Sequence, residues 1–399
     1  MSRDRAPRGR ACGKGRGGTR RFPSQVCGDF VPGVFPREHV VLHDGGMRGV
    51  RPRSLGDRLG AVLPGCRDVD GVAEAVFAAV GAHVPFAFAC LATMDPSSGL
   101  IARAFKSHPL AVGDEEFAAA EYGGPDVNQF ADIAGRRAPV GVLSVDTDGR
   151  PERCRRFRDF LQPHFGFSDE LRLVCRARGV SWGALALYRG AGDVPFTARE
   201  ARELSDVHEL LALSLQRVLF AASPPTTGSA TGAAVIIVDD RDRVSDMTAA
   251  ADEQIVDLGG WDGESLPSNV LAVVARARTS GQPATTRVLG RSGRWSSLRA
   301  IALDGGPTPT RSVVVTIEEA PRSAVGRMTL AARGLTAREQ DVAVMVLKGA
   351  STKVIASALH LSPHTVQDHL KAVFRKLGVS SRREMIARLV LDDSRPTRA

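Results

Sequence analysis

The fold of the C-terminal end is decided by Gly334-Leu-Thr-Ala-Arg-Glu-Gln-Asp-Val342, followed by Lys348-Gly-Ala-Ser-Thr-Lys-Val-Ile-Ala-Ser-Ala-Leu-His-Leu-Ser-Pro-His-Thr-Val-Gln-Asp-His-Leu-Lys-Ala-Val-Phe-Arg-Lys-Leu-Gly-Val-Ser-Ser-Arg382. Four times a Ser or Thr precedes a helical pattern of apolar residues, where its hydroxyl caps free N–H groups. Twice a Glu follows three residues later and completes a capping box. The helix starts are Thr336-Ala-Arg-Glu339, Ser351, Ser362 before Pro363, and Ser381-Arg-Arg-Glu384. The sequence predicts four short helices here.

The third of these helices has separate apolar and polar faces. Its predicted buried stripe is Val366, Leu370, Phe374 and Leu377. A second face carries, at offsets 0, 1, 4 and 8, the polar residues Gln367, Asp368, Lys371 and Arg375. The DNA major groove admits one helix, whose exposed side chains then meet the base edges. This arrangement favours DNA recognition, and the alternative is a small helical bundle whose third helix is merely solvated.

The residues at the remaining positions help to distinguish DNA recognition from a solvated helical bundle. The pattern closely resembles the LuxR-type helix-turn-helix domain over 328–393. The matching residues are Leu335-Thr-x-Arg-Glu339, Gly349, Lys353, Ile355-Ala356, Leu359, Ser362, Thr365-Val366, His369-Leu370, Lys376-Leu377-Gly378-Val379 and Ser381-Arg382. The resemblance implies an all-α four-helix domain whose helix-turn-helix motif is 352–371, with Thr365–Lys376 in the recognition helix. It also implies a homodimer, paired through the fourth helix, on a two-fold site in double-stranded DNA.

Side-chain chemistry at the matching positions predicts individual roles. Lys353, Thr365 and Arg382 are candidates for phosphate contacts, which set position. Gln367 suits adenine and Lys371 suits guanine at the base edges. An acidic residue at 368 accepts a hydrogen bond from cytosine but repels phosphate, so its role stays open, and His369 is expected to pack against the first helix. The predicted DNA-binding residues are Lys353, Ser362, Thr365, Gln367, Asp368, Lys371, Arg375 and Arg382.

Length and charge place this domain within a larger, multidomain chain. The 399 residues favour two or three domains. Residues 1–53 carry a net charge of +8, residues 327–399 carry +7, and the middle therefore carries −6 of the total +9. A basic end joined to an acidic centre fits a nucleic-acid-binding module attached to a part with another task. The alternative is that the basic tail only aids solubility.

Residues 54–222 have the pattern of one α+β domain. Apolar residues from Val69 to Val80 recur at helical spacing, and a strand is predicted at Phe86–Ala92. Leu171–Ala177 and Trp182–Tyr188 flank a Gly-containing turn and predict a hairpin. Thr197-Ala-Arg-Glu200 predicts a capped helix that runs to about Phe220. The order resembles a GAF-type sensory domain, in which Phe86, Phe88, Phe105, Trp182 and Tyr188 are either pocket or, more often for such residues, core.

Residues 223–232 have linker composition, and 233–320 predict a second α+β region. Strands are predicted at Ala234–Val238, Thr285–Leu289, Trp295–Ala302 and Ser312–Ile317, and helices at Ala249–Leu258 and Pro267–Thr279. This order resembles a small PAS-type fold. A phosphorylated receiver domain is the competing interpretation, because Asp239-Asp240 follows an apolar strand. It is rejected because no Asp lies between Asp262 and Asp304, where the phospho-accepting residue is needed.

Other classes of protein find little support. We predict no enzyme, because the sequence lacks a Gly-rich phosphate loop, H-E-x-x-H and G-x-S-x-G. The His39/His43 pair has metal-ligand spacing but lacks a third ligand, so neither a metal site nor a cofactor is predicted. Two alternatives remain. One is a sigma-factor-like module, and the other is a ligand-sensing module whose helix-turn-helix does not by itself bind DNA specifically. A further candidate partner is a small-molecule effector in the GAF-like or PAS-like domain.

The N-terminal residues 1–53 are rich in Arg, Gly and Pro and are predicted to be a disordered basic tail. Met47 is an alternative start. Six scattered cysteines indicate neither a zinc site nor a disulfide framework. No apolar stretch approaches the roughly 20 residues of a membrane span. We therefore expect a cytoplasmic protein without a membrane partner.

Overall fold

The computed structural model describes residues 54–110, 113–221, 233–303 and 312–390. The predicted tail 1–53 and linker 223–232 lie outside these residues, as do residues 391–393 of the predicted C-terminal domain. The described chain consists of two α+β regions, each with a five-stranded antiparallel sheet, followed by a helical C-terminal region.

The first region contains eight helices and five strands, with short 3₁₀ turns and one π-helical segment between them. The helices are α1 Leu55–Val62, α2 Val69–Gly81, α3 Asp114–Tyr122, α4 Phe130–Gly135, α5 Leu143–Asp146, α6 Gln162–Phe165, α7 Ala198–Asp206 and α8 His208–Leu219. The strands are β1 Phe88–Met94, β2 Ile101–Lys106, β3 Val140–Val142, β4 Asp169–Ala177 and β5 Val180–Arg189. The strand order in the sheet is β2-β1-β5-β4-β3.

Both faces of this first sheet are buried. On one face, α1, α2 and α8 enclose a core that contains Trp182 and Leu185. On the other face, the segments between β2 and β4 cover a second core around Phe88, Phe160 and Tyr188. The long strands β4 and β5 are therefore almost entirely buried rather than alternating, as expected for a sheet covered on both sides.

The predicted helix after Thr197 is two helices. The capping box of Thr197 and Glu200 is present, and the predicted inward residues Leu204, Val207, Leu211, Leu215 and Val218 are buried. However, Val207 has φ −103° and ψ 0°, which ends α7 and starts α8. The apolar spacing continues across the break, so the pattern alone could not reveal it.

The second region contains its predicted elements within a few residues, together with a fifth strand, Val244–Met247, that the sequence analysis did not predict. Its strands are β6 Ala234–Val238, β7 Val244–Met247, β8 Ala284–Leu289, β9 Trp295–Ala302 and β10 Val313–Glu319, and its helices are α9 Ala249–Asp257 and α10 Ser268–Ser280. The sheet order is β7-β6-β10-β9-β8, so both sheets connect their strands in the same order. Every pairing in this sheet is antiparallel, which excludes the parallel sheet of a receiver domain.

The C-terminal region is a cluster of helices with its own core. They are α11 Arg322–Ala332, α12 Ala337–Leu347, α13 Thr352–Ala358, α14 Pro363–Leu377 and α15 Arg382–Val390. The last four are the predicted helices, whereas α11 was not predicted. The core unites residues of all five helices, among them Leu330, Val342, Ile355, Leu370 and Met385.

Candidate nucleic-acid interface

The third helix of the C-terminal domain, α14, is fixed at both ends. Ser362 caps it by accepting a hydrogen bond from the backbone N–H of Thr365 at 3.0 Å, and Pro363 occupies the first position. Gly378 ends it in the left-handed region at φ 64°. The buried stripe is Val366, Leu370, Val373 and Leu377. Val373 thus replaces the predicted Phe374, which is half-buried at the edge of the stripe.

The opposite face of α14 is polar and exposed. Gln367, Lys371 and Arg375 follow one another at four-residue spacing and are all exposed. Residues four apart are neighbours along a helix surface, so these three side chains form one row. Two of them are cations and the third is an amide with both donors and an acceptor. The row has the chemistry that recognition of base edges and phosphates requires.

Asp368 lies beside this row and contacts two side chains of the same helix. Its Oδ1 is 3.3 Å from Nζ of Lys371, and its Oδ2 is 3.0 Å from Nδ1 of His364. All three side chains are more than half exposed. Asp368 therefore neutralises part of the positive charge that the row presents, without being buried or held by the rest of the domain.

The three predicted phosphate contacts have different surroundings. Lys353 is exposed near the start of α13, where its side chain extends into solvent. The hydroxyl of Thr365 is 2.8 Å from that of Ser362, so both remain at the N-terminus of α14. The guanidinium of Arg382 instead donates to the carbonyl of Ala350 and to Oγ1 of Thr352, both at 2.8 Å. It therefore links the start of α15 to the start of α13.

The structure adds one charged contact that the sequence did not reveal. Lys376, near the C-terminal end of α14, donates to Oε2 of Glu339 at 2.6 Å. The same carboxylate accepts the backbone N–H of Thr336 in the capping box. Burial alone would raise the pKa of Glu339, but these hydrogen bonds hold the pKa below its ordinary value. The pair fixes α14 against the start of α12.

The fourth helix departs slightly from its predicted cap. The hydroxyl of Ser381 accepts the N–H of Glu384 as expected. The Glu384 carboxylate, however, accepts from the backbone and hydroxyl of Ser380 rather than from Ser381. His369, expected to pack rather than to contact DNA, is half-buried.

The other sites raised by the sequence are placed as follows. Among the described residues, no group of His, Cys, Asp and Glu has the arrangement of a metal site, and His39 and His43 lie outside those residues. None of the described helices combines the length and hydrophobicity needed to cross a bilayer. Of the five aromatic residues predicted as pocket or core, Phe88 and Tyr188 line a cavity. Phe86, Phe105 and Trp182 belong to the core on the opposite face of the first sheet.

Comparison with known proteins concerns the C-terminal domain. Residues 333–389 match the family of bacterial regulatory proteins called the luxR family, or GerE. A putative HTH-type transcriptional regulator of Mycobacterium bovis is 48% identical over 52 residues, which are 13% of this chain and 6% of that protein. The monoamine regulon transcriptional regulator of Klebsiella aerogenes is 44% identical over 54 residues, 14% of this chain and 24% of that protein. The chain thus spans only a small part of these two relatives.

Solved structures add little to this comparison. VqmA of Vibrio cholerae, a LuxR-type receptor, gives a TM-score of 0.21 at 17% identity, over 41% of this chain and 84% of that one. SdiA of Escherichia coli gives a TM-score of 0.31 at 10% identity, over 82% of this chain and 92% of that one. Such scores are too low to indicate a shared overall fold.

One relative is short enough that the matched domain makes up most of it. The spore germination protein GerE of Bacillus subtilis is 38% identical over 56 residues, which are 14% of this chain and 76% of that protein. The match therefore covers most of a protein that consists of little besides this domain. Together with the capped helices and the polar face of α14, it shows that the chain belongs to the LuxR family of bacterial regulatory proteins and ends in that family's helix-turn-helix domain.

Proposed function

We propose that the protein is a sequence-specific DNA-binding transcriptional regulator, which binds DNA as a homodimer and is controlled by its two α+β regions. The observation that carries the proposal is the exposed row of Gln367, Lys371 and Arg375 on a helix held rigidly at both ends. A helix has a diameter of about 10–12 Å with its side chains and fits the roughly 12 Å wide major groove, and the polar face of α14 is free to meet the base edges.

Within this proposal, α14 is the recognition helix. Gln367 and Lys371 contact base edges, because Gln pairs with adenine and Lys with guanine. Lys353, Ser362, Thr365 and Arg375 contact phosphates. Arg382 keeps its predicted place near the DNA, but its two hydrogen bonds to the start of α13 support a positioning role for it.

The two α+β regions are the sensory part of the proposal. Their sheets share one strand order, which supports two modules of the same architectural type, and a GAF-like and a PAS-like domain in tandem fit this description. A small-molecule effector in one of them would alter DNA binding only by binding two conformations of the protein unequally. Pairing of two chains through α15 fits a two-fold DNA site.

Selection of bound sequences from a random DNA pool tests the proposal with the full chain. We expect a two-fold consensus site to emerge. Substitution Lys371→Ala should then lose about 1–3 kcal/mol of discrimination at one position of each half-site, while binding to unrelated DNA falls much less. Arg338→Ala, which removes an exposed charge from α12, is the matched control. The absence of any consensus, or an equal loss on every sequence, would contradict base recognition by Lys371.

A further inference from the structure

The second sheet packs one face against α9 and α10, and much of its other face lies outside the hydrophobic cores. Successive residues of a strand point to opposite faces, and the residues that point away from the two helices include Val235 and Ile237 of β6 and Val314 of β10. Ile301 of β9, and Leu303 just after it, are 41% and 42% exposed. The solvent-facing side of an antiparallel sheet is ordinarily polar, so an apolar one indicates a contact surface.

The pairing of the strands places these apolar residues side by side. Ile237 of β6 pairs with Val314 of β10, and Val314 pairs with Ile301 of β9. Residues that pair directly across antiparallel strands share a face of the sheet, so the three form one row. At one end of this row, Asp246 of β7 pairs with Ile237. At the other end, Arg299 lies two residues from Ile301 on β9 and so points to the same face.

Two opposite charges therefore flank the apolar row, and both are exposed. The strand order β7-β6-β10-β9 separates Asp246 from Arg299 by three strand spacings, about 14 Å. Asp246 accepts the backbone N–H of Met247 at 2.8 Å. Neither charge forms an ion pair within the described part of the chain, although Glu318 lies on the same face as Arg299. The face thus has an apolar centre with one acidic and one basic side chain at its edges.

This arrangement of charges is complementary to itself. A two-fold axis that runs along the strands, between β6 and β10, places β9 of one copy over β7 of a second copy. Ile237 of each copy then lies opposite Val314 of the other, in sheets about 10 Å apart. Asp246 comes to the level of Ile301 of the second copy, about 7 Å along the strand from Arg299 there, and the long arginine side chain spans that offset. The contact occurs twice, as a two-fold interface requires.

We propose that this face binds a second copy of the chain, so that two second sheets stack about a two-fold axis with Asp246 of each copy paired to Arg299 of the other. A different partner would not require one acid and one base at positions that a two-fold rotation exchanges. An apolar centre with a charged rim is also the usual composition of a protein interface. The inference goes beyond the proposed function, because this contact is separate from pairing through α15 and does not require DNA.

Charge reversal tests the contact on the full chain without DNA, with sedimentation equilibrium as the measurement. Asp246→Arg and Arg299→Asp each replace two attractive contacts of the dimer by two repulsive ones, so each variant alone should dimerise at least about ten-fold more weakly. In an equimolar mixture, the two bases of one variant face the two acids of the other. The mixture should therefore dimerise about as tightly as the unmodified chain. Misfolded variants would not rescue each other in this way.

A second variant tests the apolar centre. Ile301→Thr removes apolar surface but keeps a β-branched side chain in the strand, and should weaken dimerisation at least about three-fold. The matched controls are on α9, across the sheet, where Val256→Thr removes an apolar group that is 55% exposed and Glu253→Arg reverses an exposed charge. Both should leave dimerisation unchanged. A monomeric unmodified chain, or equal dimerisation of all variants, would overturn the inference. Binding of the selected DNA site by the same variants tests the proposed function separately.

Discussion

Asp368 offers the sharpest test of how the proposed recognition helix meets DNA, because its negative charge lies beside a basic row. Its contacts with Lys371 and His364 are exposed, with side-chain exposures of 53% for Asp368, 76% for Lys371 and 87% for His364. Such exposed pairs contribute about 0–1 kcal/mol to stability. Asp368→Asn should therefore leave the domain folded while it removes the charge and releases the ammonium group of Lys371.

The magnitude follows from Coulomb's law. At about 7 Å from a phosphate in water, a carboxylate is repelled by about 0.6 kcal/mol, which is about a three-fold change in affinity. The proposed dimer carries the charge twice, so Asp368→Asn should strengthen binding to unrelated DNA by about 1.2 kcal/mol, or about seven- to eight-fold. The gain should shrink as salt rises, because ions screen exposed charges over about 10 Å at 0.1 M.

Fluorescence anisotropy on a random duplex and on the selected site measures both affinities. Asp341→Asn is the matched control, because it removes a partly exposed carboxylate from α12, away from the polar row. We expect it to change affinity much less. If Asp368→Asn instead weakens binding to the selected site more than about ten-fold, with the loss confined to one base pair, then Asp368 accepts a hydrogen bond from cytosine and the repulsion argument is wrong.

Three further outcomes are expected. Lys353→Ala should flatten the slope of log affinity against log salt by about 0.9 for each phosphate that the protein no longer neutralises, and an unchanged slope would exclude a phosphate contact. Arg382→Lys should weaken DNA binding with the salt slope unchanged, because Lys keeps the charge but cannot bridge two acceptors as Arg does; full affinity would show that only the charge matters. Because the pKa of Glu339 is lowered in the folded protein, its carboxylate contributes stability above pH 4.5, the ordinary pKa of a glutamate. This stability is lost as the pH falls through 4.5 and on through the lower folded-state pKa. In hydrogen-exchange measurements, α12 and α14 should therefore lose less protection on acidification in Glu339→Gln than in the unmodified protein. Equal losses in the two proteins would show that Glu339 is not the source of the acid sensitivity.

Local signals predicted the C-terminal domain well. The caps at Thr336, Ser351 and Ser362 all form, because each depends only on a side chain and the N–H groups two or three residues later. Most elements of the second α+β region were predictable for a similar reason, since three of its strands alternate between buried and half-exposed residues, whereas the mostly exposed β7 lacks this pattern and was not predicted. The face of α14 that carries the proposed contacts followed directly from helical periodicity.

Contacts between distant parts of the chain were not predictable in this way. The pair Lys376–Glu339 joins residues 37 apart, and Arg172 and Glu121 are 51 apart. Nothing in the local sequence marks Glu339, Arg172 or Glu121 as buried, and charged side chains are usually exposed. Helix α11 escaped prediction because it lacks a side-chain cap and an acidic first turn. The cavity that α3 and α10 line, between the two regions, depends on how they pack, which no single segment encodes.

The C-terminal half of α8 explains how these regions are physically joined. Gln216 of α8, with its amide oriented to satisfy both neighbours, accepts from Nε1 of Trp182 in the first sheet and donates to the carbonyl of Ala332 in α11 at 3.2 Å. Directly after α8, the Phe220 ring meets Trp182 edge to face, with 5.7 Å between ring centroids. The same ring stacks on Trp295 of the second sheet, with 5.5 Å between centroids. One segment therefore touches both sheets and the helix that leads into the DNA-binding domain. Because α8 begins as a separate helix at the break at Val207, a displacement of α8 would disturb the contacts of all three regions together.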